Sequence, residues 1–595
     1  MKVSDYIAKR LKEVYGTEQI FMVSGGGAMH LNNSFGKQLK YICNHHEQAC
    51  AMGAEGFARV KQGLAVVNVT TGPGGLNCLN GVFGQWTDSV PVLYISGQVK
   101  TSTTISSCKK LKLRQLGDQE VDIISIVTPI TKYAKMITEP KEIKYHLDKA
   151  IFEATTGRKA PVWLDIPMNV QCAIVEENEL IDFIPPKELS KDYSKEIEDI
   201  LQKLETSKRP VIVAGHGIRL SEQKEAFLEL VEKLKIPILT TFNGIDIIND
   251  NNPYYMGRIG TIGQRAGNFI LQNSDLILSL GTRNNIRQIS YNWENYGKKA
   301  YKIVIDIDKA ELEKPTARVD MGICANLKDF LPQLANKTCE AQPKLKWNEW
   351  CKARKNKYSF ENTKEYQIID ENINPYYFTR KLTERLGKGD ILVSANATPS
   401  ICIFQTGKVN GERIIMNSGD ASMGYALPTS IGARVQTMGK GNVVCFEGDG
   451  SIMMNLQELQ TIKHNGLNIK IFVLKNNGYV SIQQTQKNFF AGEMTGSGAS
   501  SGVSTPDFTE IGKGFGIKSV KIEKSSEIEE RLDDIFNRDE SIICEVVIKK
   551  EYSFSPKLSS RKLEDGTMIS STLEDMYPFL DREEFNKNMI YEEEI

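Results

Sequence analysis

Short apolar runs punctuate this chain. Between them lie longer stretches in which apolar residues recur every three to four positions. Runs such as Ile20 to Val23, Tyr41 to Cys43, Asp390 to Val393 and Ile469 to Leu474 are too short for helices and stop at Gly, Asn or Ser, so they read as buried strands. The stretches between them read as helices with one apolar face. Strand and helix in alternation predict parallel sheets with crossover helices. The predicted fold class is α/β, with three doubly wound parallel-sheet domains over 1–175, 190–335 and 370–550 and a C-terminal tail over 551–595. Polar residues 176–192 read as a linker, and the Lys-, Glu- and Asn-rich 333–372 as a solvated connection.

The clearest unit runs from Val443 to Gln483. Val443 to Phe446 is a strand, and Leu456, Leu459 and Ile462 mark one face of a helix that stops near Gly466. A second strand ends at Asn476-Asn477-Gly478. In such a βαβ unit Asp449 and Asn476 emerge at the same carboxyl edge, where α/β sheets bind ligands. A carboxylate, an amide oxygen and a carbonyl at Gly478 are hard ligands that suit Mg²⁺ or Ca²⁺. The turn glycines and the helix start offer N–H groups to a phosphate. Gly-Asp-Gly and Asn-Asn-Gly are each common turns; their pairing across a strand and a helix is the specific feature.

Composition narrows the rest. The 595 residues are 41% hydrophobic and 25% charged, as in ordinary globular proteins. Lys and Arg together equal Asp and Glu, so net charge gives no case for nucleic acid or an anionic membrane. Eleven cysteines include no C-x-x-C pair, which points to free thiols in a reducing compartment. The first sixteen residues form an amphipathic helical pattern without a signal-peptide core, and no apolar run reaches membrane-spanning length. The expected location is cytoplasmic.

The pair GDG and NN resembles the thiamine-diphosphate motif of the pyruvate-processing enzymes. That resemblance implies that Asp449, Asn476 and the Gly478 carbonyl hold Mg²⁺ on the cofactor's diphosphate, beside Gly448, Gly450, Ser451, Tyr479 and Val480. Other segments extend it to nearly the whole chain in order. HHEQACAMGAEGFAR is similar to the RHEQ and AEGYAR segment of acetolactate synthases, which implies that Glu47 exchanges a proton with the cofactor's aminopyrimidine. The small residues after Glu47 predict a helix that packs closely, against a copy of itself among other mates. Gly25, Gly26, Thr71, Gly72, Pro73 and Asn77 fall in the family's loops around the pyrimidine end, and Gln119 near the reacting centre. Asn396, Ala397 and Thr398 suit an approaching phosphate. Ser422 and Met423 match the stretch whose apolar residue props thiamine into its bent form. In the middle domain, Gly260, Thr261, Arg283, Arg287 and Asp306 line up with segments that help hold FAD in acetolactate synthases, while Gly215 and Gly217 read as a strand-to-helix turn that superficially suggests a dinucleotide fingerprint and join them as candidate FAD residues; a bound FAD and a purely structural domain are both open readings.

Asp118, Met168 and Gln483 replace an aromatic, a Lys-bearing position and a Trp of the synthases. The expected activity is therefore an acetolactate-synthase-like carboligase. It decarboxylates pyruvate, a 2-keto acid, and passes the two-carbon unit to a carbonyl acceptor, for which a keto-sugar is one reading. The alternatives are a genuine acetolactate synthase, a non-ligating decarboxylase and a catalytically silent binder of the cofactor. The resemblance implies a homodimer at least, with a homotetramer expected. The tail's apolar and Pro residues predict that it packs over the site region.

Overall fold

The computed structural model describes all residues except 188, 189, 370, 550, 551, 563, 564, 566 and 592–595, the acidic chain end falling outside this set. It contains three six-stranded sheets, each parallel throughout. The first comprises β1 (Gln19–Met22), β2 (Lys40–Cys43), β3 (Ala65–Val69), β4 (Val92–Gln98), β5 (Tyr133–Met136) and β6 (Val162–Pro167), in the order β2-β1-β3-β4-β6-β5. The second comprises β7 (Pro210–Ala214), β8 (Ile238–Thr240), β9 (Tyr255–Arg258), β10 (Leu276–Leu280), β11 (Tyr301–Asp306) and β12 (Met321–Cys324), ordered β12-β11-β10-β7-β8-β9. Its strand order reverses between β7 and β10, as in dinucleotide-binding sheets. The third comprises β13 (Ile391–Ser394), β14 (Arg413–Met416), β15 (Val443–Gly448), β16 (Lys470–Lys475), β17 (Lys518–Ile522) and β18 (Ile542–Val547), ordered β14-β13-β15-β16-β18-β17. Central strands such as β3 and β4 are buried at every position, whereas in the edge strand β2 only Ile42 is buried, which explains their different sequence patterns.

The first and third sheets share one strand order, so their carboxyl-edge loops correspond. The loops after β1, β2, β3 and β4 match those after β13, β14, β15 and β16. Helices Glu47–Lys61 and Ala426–Thr437 follow corresponding strands and pack on each other. A Cβ on Gly432 would lie 1.7 Å from the Gly53 carbonyl oxygen, and one on Gly56 would lie 2.0 Å from that of Thr429. The small-residue helix thus finds its close mate within its own chain. One continuous core runs through both domains, from Phe21 and Val67 to Ile431 and Ile543.

Two expectations need correcting, and a third, for the tail, holds in part. The crossover between β15 and β16 is two short helices, Asp449–Ile452 and Glu458–His464, because Asn455 turns inward to hydrogen-bond the Gly424 carbonyl. The supposed solvated connection contains helix Leu345–Lys357, where Trp347 and Cys351 are buried and the indole N–H donates to the Pro210 carbonyl. The tail packs in two places. Tyr552 sits beside Thr398 and Asn476, while Met576 is buried against Asn268 of the middle domain. Among the described residues no helix is long and apolar enough to cross a membrane.

Candidate active site

The third sheet's carboxyl edge carries the hard-oxygen group. Asp449 is buried, and its Oδ2 accepts the N–H groups of Asn476 (3.1 Å) and Asn477 (2.6 Å), while Oδ1 accepts that of Gly450 (2.8 Å). Burial pushes its carboxyl pKa up, and these hydrogen bonds oppose the shift. Asn476 Oδ1 accepts the Gly478 N–H at 3.1 Å and keeps a second lone pair. Gly478 has φ +156°, and a Cβ there would lie 2.4 Å from the Ser497 carbonyl oxygen, so glycine is required. Gly450 lets the Tyr479 ring lie against the backbone, and Gly448 faces open space. Val480 is buried at the start of helix Val480–Phe489.

Neighbouring loops brace this edge. Asn396 Nδ2 donates to the Ser422 carbonyl (2.7 Å), and the Ser422 hydroxyl to that of Met423 (3.0 Å). Ser451 Oγ accepts the Gly424 N–H, so Ser451 ties the Met423 loop to the Asp449 turn. Ala397 holds a left-handed φ of +59° before helix Thr398–Thr406, and the Thr398 hydroxyl is shared with Tyr552. Gln483 does not hang free: its amide donates to the Ser497 carbonyl (2.7 Å), clasping the 497–498 turn against Gly478.

On the first sheet's edge, Glu47 begins its helix and its Oε2 accepts the Asn77 amide N–H at 2.9 Å. Gly25 packs against the Thr70 side chain, the Thr71 hydroxyl is spent on the Gly97 carbonyl, and Gly26 is open. Gly72 has φ +66°, and a Cβ there would meet the Gln119 carbonyl oxygen at 2.0 Å. Pro73 and Gln119 are exposed beside it, as is Asp118. Among the described residues no hydrogen bond or ion pair joins Glu47, Asn77 or Gln119 to Met423, Asp449, Asn476 or Gly478 within one chain.

Three buried carboxylates outside the expected set organise these loops. Glu458 accepts Asn44 Nδ2 (2.8 Å), the His45 N–H (2.9 Å) and the Thr461 hydroxyl (2.7 Å), binding the third domain to the segment that precedes Glu47. Glu447 accepts the N–H groups of Ala426 and Leu427 at the helix start that follows Met423. Glu120 gathers the N–H groups of Ile105, Leu116 and Gly117 at the neck of the loop after β4. The signal for Glu458 was a charge beside Leu459 and Ile462 on an apolar face.

At the β7/β10 reversal a cavity of about 360 Å³ opens between all three domains, lined among others by Gly217, Arg283, Arg287, Asp306, Arg158 and Phe404. Gly215 packs against the Gly281 carbonyl just behind its wall. Arg287 lies 4.6 Å over the Phe242 ring. Gly260 and Thr261 do not line the cavity; they bond Asn268 and the Arg287 carbonyl, holding the wall in place.

Comparison with known proteins agrees with this arrangement. Residues 1–126 match the thiamine pyrophosphate enzyme N-terminal TPP binding domain, 197–334 its central domain and 401–546 its C-terminal TPP binding domain. The acetolactate synthase large subunit of Lactococcus lactis subsp. lactis (strain IL1403) is 32% identical over 562 residues, 93% of this chain and 94% of that protein. The probable acetolactate synthase large subunit of Methanocaldococcus jannaschii is 30% identical over 92% of each chain. Isozyme 1 of Escherichia coli (strain K12) is 29% identical over 91% of this chain and 93% of its own. Three matched domains in order, on three parallel sheets, show that the chain belongs to the thiamine pyrophosphate enzyme family and is a thiamine-diphosphate-dependent enzyme of acetolactate-synthase-like type.

Proposed function

We propose that this enzyme decarboxylates a 2-keto acid, in the simplest case pyruvate, and ligates the two-carbon unit to a second carbonyl compound. One observation carries the reading. Two sheets of identical topology present complementary edges: hard oxygens at Asp449, Asn476 and Gly478, and a carboxylate at Glu47. The donor set fits Mg²⁺ bound to a diphosphate. Asp449 is buried with no cationic partner among the described residues, and an amide oxygen and a carbonyl stand beside it. When bound, thiamine diphosphate supplies the electron sink for decarboxylation.

The chain's own residues then bind, orient and move a proton. Asp449, Asn476 and Gly478 would hold the metal. Met423 would prop the cofactor, and Asn77 keeps the Glu47 carboxylate aimed for proton exchange with a ring nitrogen. Among the described residues no hydrogen bond or ion pair joins Glu47 to the metal edge within its own chain, and the reading includes a homodimer at least, in which Glu47 of one copy would face the Asp449 edge of the other. Exposed Leu76, Phe83, Trp86, Met453 and Met454 near these edges support a covered interface. The cavity at the β7/β10 reversal, with Arg283, Arg287 and Asp306 on its wall, is proposed to take FAD.

The relatives' names favour a second pyruvate as acceptor. Asp118, exposed beside Gln119, stands where the synthases carry an aromatic and favours a more polar one; Met168 and the Gln483 amide, which is bonded to Ser497, do not bear on polarity. Mass spectrometry of the products from labelled pyruvate, with and without added carbonyl acceptors, tests the reading. Glu47→Gln should abolish CO₂ release yet leave cofactor binding largely intact. Unchanged turnover in that variant would falsify the role given to Glu47.

A further inference from the structure

The loop between β4 and Glu120 differs in charge from the rest of the molecule. Residues 100–117 contain Lys100, Lys109, Lys110, Lys112 and Arg114 and no acidic residue, the first being Asp118 at the loop's end, in a chain whose formal net charge is zero. All five side chains are exposed, and none pairs with a carboxylate among the described residues. The loop is nevertheless ordered by its own base. Thr101 donates its N–H (2.9 Å) and hydroxyl (2.8 Å) to Asn169 Oδ1 at one end, and Glu120 gathers three backbone N–H groups at the other. That base abuts the site. The Gln119 carbonyl packs on Gly72, one turn before Asn77, which holds Glu47. The loop also occupies the place that the loop 476–505 occupies in the third domain, following the corresponding strand of a sheet with the same order.

We propose that this loop determines acceptor specificity by recognising a phosphate or diphosphate carried on the carbonyl acceptor; this rests on the carboligase reading above. Five unpaired cations on a loop whose base, at Gln119, packs on Gly72 beside the site concentrate an anionic ligand and raise its capture rate. A structural role does not require them, because none stabilises a neighbouring carboxylate. Pyruvate alone, with a single compact carboxylate, leaves such a cationic loop without a counterpart.

The test uses holoenzyme with saturating thiamine diphosphate and Mg²⁺, labelled pyruvate as donor, and either dihydroxyacetone or dihydroxyacetone phosphate as acceptor. The wild type should prefer the phosphorylated acceptor in kcat/KM, on the order of tenfold. The preference should fade as salt shortens the screening length below ~10 Å. Replacing Lys109, Lys110, Lys112 and Arg114 together by Ser should bring the two acceptors to parity, while CO₂ release from pyruvate alone stays unchanged. Equal use of both acceptors by the wild type, or a preference that survives the quadruple variant, overturns the proposal. Calorimetry of dihydroxyacetone phosphate binding decides independently of turnover: tenfold weaker binding in the variant supports the proposal, and equal binding overturns it. Absence of any ligated product, acetolactate from pyruvate alone included, would refute the carboligase reading and leave the binding arm to judge the loop, whereas acetolactate formed with neither added acceptor used would keep that reading and overturn the proposal. A changed sedimentation profile in the variant would assign the cations to contacts between copies and also overturn it.

Discussion

Glu458 offers the sharpest test of how the two halves of the site are held. Its carboxylate is buried and accepts hydrogen bonds from Asn44, His45 and Thr461. Glu458→Ala leaves the Asn44 amide and the His45 N–H without partners, while the Thr461 hydroxyl can rotate to another acceptor. An unpaired buried donor costs about 1–3 kcal/mol; the Asn44 amide is buried and bears that in full, and the N–H of exposed His45 bears part of it, so the pair costs roughly 2–5 kcal/mol. Removing a carboxylate that burial already disfavours returns part of this, leaving a net loss of about 2–4 kcal/mol. In a domain of ~200 residues each kcal/mol lowers the melting temperature by about 2–4 °C, so the variant should melt roughly 5–15 °C lower. Glu458→Gln keeps one acceptor and should lose less. Because His45 lies two residues before Glu47, CO₂ release from pyruvate should fall with stability, even at temperatures where both proteins are folded. Melting followed by intrinsic fluorescence, with CO₂ release measured well below the transition, reads both effects. Benign surface changes stay within ~0.5 kcal/mol. A Glu458→Ala protein that melts within about 1 °C of wild type and keeps its turnover would refute the view that this carboxylate positions the Glu47 segment.

Two further outcomes follow from the same geometry. Gln483→Leu removes the bond to the Ser497 carbonyl, worth about 0.5–1.5 kcal/mol, and should weaken Mg²⁺ binding about 2- to 12-fold in a calorimetric titration with thiamine diphosphate present; unaltered Mg²⁺ affinity would show that the clasp does not hold Gly478. Asp165 is fully buried, accepting from Ser96 Oγ (2.6 Å) and Gln98 Nε2 (2.9 Å), and burial pushes its carboxyl up to about 7. An acid whose folded pKa is raised binds more protons in the native than in the unfolded state, so its contribution to stability is present below pH ~4 and is lost as pH rises through ~7. Asp165→Asn should therefore gain melting temperature relative to wild type between pH 5.5 and 8; parallel pH profiles for the two proteins would count against a raised pKa.

Much of the fold was legible because buried parallel strands are short, continuous apolar runs, as at Val443 to Phe446 and Ile469 to Leu474. The candidate site stood out where residues form rare combinations, as with Asp449 and Asn476 across a crossover, and the structure puts Gly478 and Gly72 at positions only glycine tolerates. What escaped notice shares one cause: its meaning lies in a partner distant in sequence. Glu458 looks like any helix glutamate until Asn44, 414 residues away, is seen beside it. Helix Leu345–Lys357 hides its buried Trp347 and Cys351 among exposed lysines. Gln483 suggested a residue facing the acceptor, yet its amide turns toward Ser497. The acceptor itself is written in no single motif, and the charge of residues 100–117 takes on meaning only once Gln119 is seen packed on Gly72.

The shared core of the first and third domains also bears on how the chain is made. Phe57 belongs to the same buried cluster as Ala426 and Ile431, which emerge from the ribosome about 370 residues later. At ~5–20 residues per second this is a wait of about 20–70 s, during which the apolar face of helix Glu47–Lys61 has no mate. The middle domain has its own core and can close during that interval. Nascent chains of this protein should therefore carry a finished centre before either flank is complete, and for that period the unpaired helix is a surface on which chaperones, or a neighbouring nascent chain, would act.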